Sequence, residues 1–198
     1  MKVYLCDTAK WTDGDAARLF CAVPAGRRAY AERYKDPTDR ISSAVGFLLV
    51  ARALREKDPG YTPADWAIGE HGKPYLPGSG LHFSLSHADG LSAAVLSDRP
   101  IGLDVERIRP LRLALLPRFC TPEEIGLCER DPDLAVQFWT KREARAKENG
   151  RGIGQKLTVL PTDGVTSLRI DLGERSFWLS YTANEPAEPA WIKPEELI

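Results

Sequence analysis

The stretch HFSLSHADGLSAAVLSDRPIGLDVE, residues 82–106, decides the fold. It holds three short β-like runs, HFSLS, LSAAVLS and PIGLDVE. Ala88-Asp89-Gly90 and Asp98-Arg99 separate them with turn-forming residues. Upstream, helix signals dominate. Ile41, Ala44, Val45, Leu48 and Leu49 recur at the spacing of one buried helical face, which predicts a helix over 38–57. Asp58-Pro59-Gly60 ends it. Thr12 and Asp15 predict a capping box before an earlier helix, which Pro24-Ala25-Gly26 closes. RRAYAERY, 27–34, predicts another helix, and residues 3–7 and 66–69 predict short strands.

Downstream the order repeats. Thr121-Pro122-Glu123-Glu124 carries an N-cap, a first-turn proline and a capping glutamate. Asp131-Pro132 opens a helix that runs to about Glu148. KLTVL, VTSLRIDL and SFWLSY then predict three strands, and NEPAEPAWIKPEELI predicts a surface tail. Helices followed by strands, twice over, predict an α+β fold rather than alternating βαβ units. The division falls between 1–99 and 100–198.

The chain has 198 residues, with 27 basic and 28 acidic side chains and a net charge of -1. Near-neutral balance excludes the basic excess of nucleic-acid binders and of polybasic membrane-surface proteins. No apolar run approaches the roughly 20 residues that span a bilayer. MKVYLCDTAKW lacks the apolar core of a signal peptide, so the expected compartment is the cytoplasm. Cys6, Cys21, Cys120 and Cys128 form no CxxC pair and lie far from His71, His82 and His87. They are expected to be small buried hydrophobes rather than zinc ligands.

Four segments carry chemistry. In PIGLDVE, Asp104 and Glu106 sit two apart and share one strand face, with Val105 turned to a core. Two adjacent carboxylates are stabilised by a hard divalent cation, and magnesium suits a site that also holds phosphates. In WTKREARAKENGRGI, Trp139, Glu143 and Lys147 follow at steps of four on one helix face. Gly150 and Gly152 end that helix in backbone that can approach a ligand closely. In FSLSHADG, Ser86 and His87 stand at a polar strand end suited to phosphate. Neighbours in one short turn do not converge as a Ser-His-Asp triad, and no GxSxG elbow is present. In GKPYLP, Lys73 is held on a stiff turn and offers a point charge. REARAKENG is similar to the REUxEExGU helix of Nudix hydrolases, but Ala146 and Lys147 stand where that helix needs paired glutamates.

Taken in order, GKPYL, HFSLSHADG, PIGLDVE and FWTKREARAKENGRGI resemble the motifs of the 4'-phosphopantetheinyl transferases, over roughly residues 36–154. DRISSAVGFLLVARAL is similar to that family's Asp-Arg-x-x-Ser helix. Ser84, Ala88, Arg142 and Arg145 depart from the common family residues, and none of these is a metal ligand.

The resemblance implies the larger class, a monomeric pseudodimer of two similar α/β halves, each with helices on a small, mainly antiparallel sheet. Its active site would fall between the halves near residues 98–104, with Lys73 and His87 opposite Glu143 and Lys147. It implies transfer of the 4'-phosphopantetheine group of coenzyme A to a serine of an acyl or peptidyl carrier protein, releasing 3',5'-ADP. Asp104, Glu106 and Glu143 would hold magnesium, or manganese in its place. Glu143 would also serve as general base, and Lys147 would balance the pyrophosphate charge. Arg40, Lys73, Ser86 and His87 would hold the phosphates of coenzyme A, with Arg27, Arg28 and Arg33 near the 3'-phosphate. Two other classes remain open: a non-catalytic coenzyme A or nucleotide binder, and a metal-dependent pyrophosphate hydrolase.

Overall fold

Strand pairing gathers the first unit around β1 (Lys2–Asp7), whose four central residues are buried. β4 (His82–Ala88) and β5 (Leu91–Ser97) form an antiparallel hairpin, and β5 pairs antiparallel with β1. Asp89 and Gly90 make its two-residue turn, both at positive φ, the geometry that matches the strands' twist. On the other side of β1 lies β9 (Glu188–Trp191), in parallel. The sheet order is β4-β5-β1-β9. The structure is a computed structural model that describes residues 1–62, 66–150 and 157–197.

Three helices belong to this unit. α1 (Asp13–Ala22) starts from the Thr12/Asp15 capping box. α2 (Ala25–Ala31) starts immediately from Pro24, so the Pro24-Ala25-Gly26 stop joins two helices rather than leading into a loop. α3 (Pro37–Lys57) has Asp36 as its N-cap and packs on β4, β5 and β1. Val45, Phe47, Leu48, Leu49, Phe83 and Leu54 share one core with Tyr4 and Leu19.

The second unit is built on β6 (Leu103–Arg107), β8 (Arg175–Tyr181) and β7 (Thr166–Leu172), antiparallel in that order. α4 (Pro122–Cys128) begins at the Thr121/Glu124 capping box. α5 (Asp133–Asn149) packs on β6 and β8 and ends at Gly150, whose φ of 70° is the left-handed cap that glycine favours. The compact units comprise residues 1–67, 74–99 and 187–198 in the first, and 68–73 and 100–186 in the second. β2 (Ala67–Ile68) and β3 (Pro74–Tyr75) are the remaining strands.

The fold is thus mixed α and β, with helices on small sheets. Three local expectations are corrected. Leu157–Val159 of KLTVL is a 3-10 turn, not a strand. The C-terminal segment is not a loose tail: it supplies β9, and Ile192 and Leu197 are buried in the first unit's core. Cys6, Cys120 and Cys128 are buried as expected, but Cys21 is exposed on α1. Gly152 lies outside the described residues. Among the described residues, no helix is long and apolar enough to cross a membrane.

Candidate active site

Strand alternation puts Leu103 and Val105, both fully buried, on one face of β6 and Asp104 and Glu106 on the other. α5 lies over the carboxylate face. Its stripe of Trp139, Glu143 and Lys147 runs along β6 in register with the acids. The Lys147 ammonium donates to Asp104 Oδ1 at 2.8 Å. The Trp139 indole N–H donates to Glu106 at the other end, and the Trp139 ring is fixed edge-on to Phe119, 5.1 Å between centroids. Glu143 sits between them, 5% exposed.

Gly102 lets helix and strand approach this closely. A Cβ at 102 would overlap the Ala144 carbonyl oxygen and stand 2.6 Å from the Glu148 nitrogen, both backbone atoms of α5. Gly102 is pinned from the other side, its N–H donating to Thr182 Oγ1 at 2.9 Å and its carbonyl accepting from Thr182 N–H at 3.0 Å. Sequence reasoning missed this glycine. Its one signal was a glycine inside a strand pattern, which marks a close backbone approach.

The electrostatics are those of crowded acids. Burial, and then the negative charge of Asp104, push Glu106 up to about 7. The same two causes in the same order push Glu143 up to about 7. Glu143 Oε1 is buried with no hydrogen-bond partner, a cost unless a cation or proton answers it. Among the described residues, no three His, Cys, Asp or Glu side chains are drawn tightly enough together to hold one metal ion as they stand. The donor chemistry nonetheless fits a hard divalent cation. The acids supply only carboxylate oxygens, Asp104 influences both glutamates, and one buried oxygen of Glu143 awaits a partner.

A largely apolar cavity of about 480 Å³ adjoins this site. Glu106 is in its wall, together with Leu111, Phe119 and Trp139, and Arg107 and Arg109 contribute charge.

Lys73 belongs to the second unit. Its ammonium donates to the carbonyls of Glu148 at 3.0 Å and Ile101 at 3.2 Å, which places a cation at the C-terminal end of α5. Burial lowers its pKa from the ordinary lysine value. Arg142, beside Glu143 and 2% exposed, forms a buried ion pair with Glu124 at 2.8 Å that ties α5 to the capping box of α4.

Arg40, Ser86 and His87 lie in the first unit. Arg40 donates from Nε to the Tyr34 carbonyl at 2.6 Å and from Nη2 to the Lys35 carbonyl at 3.3 Å. Ser86 is buried in β4. His87 Nδ1 stands 3.8 Å from Asp39 Oδ1, and its ring meets Tyr34 edge-on at 5.5 Å. Arg27 donates to the carbonyl and hydroxyl of Ser43, with its guanidinium over the Tyr30 ring.

The acid pair on β6 thus lies under a Glu-x-x-x-Lys stripe of α5, with Lys147 on Asp104 and Trp139 on Glu106. A model of the 4'-phosphopantetheinyl transferase superfamily matches residues 100–192. The chain is 30% identical over 185 residues to a 4'-phosphopantetheinyl transferase of Bacillus subtilis, covering 87% of this chain and 82% of the relative. It is 30% identical to the 4'-phosphopantetheinyl transferase HetI of Nostoc sp. (strain PCC 7120), over 73% of this chain and 68% of that one. With Sfp of Bacillus subtilis (strain 168) it shares 24% identity over 77% and 73%. The chain belongs to the 4'-phosphopantetheinyl transferase family of enzymes.

Proposed function

We propose that this enzyme transfers the 4'-phosphopantetheine group of coenzyme A to a serine of an acyl or peptidyl carrier protein and releases 3',5'-ADP. The observation that carries the reading is the placement of Glu143 beside Asp104, with its carboxyl pushed up to about 7. A general base works best when its pKa lies near the working pH. Glu143, directly or through a water, takes the proton of the carrier serine. The serine Oγ forms a bond to the phosphorus that bears the pantetheine arm, and the bond from that phosphorus to 3',5'-ADP breaks.

Asp104, Glu106 and Glu143 would hold magnesium, or manganese in its place, which when bound offsets charge on the pyrophosphate oxygens. Lys147 adds a fixed positive charge at the same place. Trp139 keeps the Glu106 carboxylate oriented, and the apolar cavity beside Glu106 offers the pantetheine arm a dry wall. Arg40, Lys73, Ser86 and His87 are assigned to the phosphates of coenzyme A. For Lys73 and Arg40 this requires exchanging backbone carbonyls for phosphate oxygens.

We read the two units as related halves, residues 1–99 and 100–198 in outline, of one chain acting as a monomeric pseudodimer in the cytoplasm. Each places its longest helix, α3 or α5, on a mainly antiparallel sheet.

Incubation with coenzyme A, magnesium and several apo carrier proteins tests the reading by mass spectrometry. One phosphopantetheine per carrier and an equal amount of 3',5'-ADP are expected, with negligible turnover when carrier is omitted. ADP release without carrier would mark a hydrolase. Binding of coenzyme A with no transfer to any carrier would mark an inert binder.

A further inference from the structure

His87 is set among acids. Asp39, in the first turn of α3, presents Oδ1 3.8 Å from His87 Nδ1. Asp36, the N-cap of the same helix, and Asp89, in the turn after β4, are near enough to act on the Asp39 charge. Tyr34 closes on the ring edge-on, and the His87 side chain is 14% exposed. The N-terminus of a 21-residue helix would by itself disfavour a positive charge. A carboxylate in its first turn opposes that effect locally.

We propose that Asp39 is a positioning residue for His87: its carboxylate, 3.8 Å from Nδ1, favours the positively charged ring by ion pairing, so that Nε2–H is presented to a phosphate of coenzyme A. The inference rests on the assignment of His87 to that phosphate. The chemistry is specific. A neutral imidazole can be either donor or acceptor at Nε2, and as an acceptor it meets a phosphate oxygen lone pair to lone pair. A charged imidazole donates from both nitrogens, and hydrogen bonds between ions are about twice as strong as neutral ones. Asp39 touches His87 and needs no contact with the ligand. Burial first, then the negative charges of Asp36 and Asp89, raise its own pKa from the ordinary aspartate value.

The test follows coenzyme A binding by calorimetry from pH 5.5 to 8.5 for the intact protein and for Asp39→Asn, Asp39→Glu and His87→Gln. Wild-type affinity is expected to weaken as pH rises through the histidine range. In Asp39→Asn that fall moves to lower pH. Affinity at pH 7.5 then drops about 3–10-fold, because an opposite charge at this range shifts a titration by about one pH unit, and it recovers at pH 5.5. Asp39→Glu restores most of the wild-type profile, and His87→Gln binds weakly and loses the histidine-dependent part of the profile.

Without ligand, the ring resonances of His87 report the same shift. Only three histidines are present, and His87→Gln identifies the signal. A purely structural Asp39 would lower thermal stability and leave the titration in place. A wild-type pH profile in Asp39→Asn overturns the proposal while the transferase reading stands, provided His87→Gln weakens binding. No binding of coenzyme A to the wild-type protein overturns both.

Discussion

Gly102 and Ala144 touch through their backbones: the α-carbon of one lies against the carbonyl oxygen of the other, with no room for a methyl group. This contact sets the spacing between β6 and α5, and with it the reach from Lys147 to Asp104. Gly102→Ala is therefore expected to cost about 3 kcal/mol or more, the upper end for overpacking, because neither backbone can yield. Transfer activity should fall even where the variant still folds. Urea denaturation with an activity assay checks both.

Lys147 is the cation that answers Asp104 at 2.8 Å, with its side chain a third exposed. Lys147→Met keeps the stem and removes the charge. It should destabilise by about 1–3 kcal/mol, less than a fully buried pair because water reaches the ammonium. Turnover should fall by orders of magnitude. Denaturation at fixed pH and steady-state kinetics report the two effects separately.

Stability of the metal-free protein should decline as pH rises. Glu106 and Glu143 titrate at about 7 in the fold, against 4.5 for an ordinary glutamate. The folded state therefore holds protons that the unfolded chain releases. Their contribution is fully present below about pH 4.5 and is lost as pH rises through 7. Chelator-treated protein, unfolded in urea at pH 5 and at pH 8, should show this loss. Added magnesium should recover stability at pH 8 and hardly alter it at pH 5.

The buried pair of Arg142 and Glu124 offers a double-mutant cycle. Arg142→Met should cost about 3–5 kcal/mol, since it leaves the Glu124 carboxylate without its cation. Adding Glu124→Gln should restore much of that loss, because the amide oxygen can still accept from the Thr121 N–H. Equal losses in the single and double variants would show that the ion pair is not the cause.

Much of this site follows from local spacing. Period two placed Asp104 and Glu106 together, and period 3.6 placed Trp139, Glu143 and Lys147 on one stripe. The capping boxes at Thr12 and Thr121 needed only four consecutive residues each. What escaped depends on contacts remote in sequence. Lys73 in a Gly-Lys-Pro turn carries no sign that it will meet the Glu148 carbonyl, 75 positions away. The crowding at Gly102 exists only once α5 is laid on β6. β9 has only four residues and Pro189 is one of them, so neither alternation nor propensity marks it. Its strand character comes from β1, which offers it an unpaired edge.

That last pairing bears on how the chain is made. β1 leaves the ribosome well before its parallel neighbour β9, with all of residues 100–186 made between them. Residues 100–186 can emerge and close their own sheet while β1 still has one open edge. A nascent chain is therefore exposed to wrong edge-to-edge pairing until Trp191 is out. Synthesis that stalls shortly before residue 187 should yield chains that chaperones hold or that aggregate, even though most of both cores has already been translated.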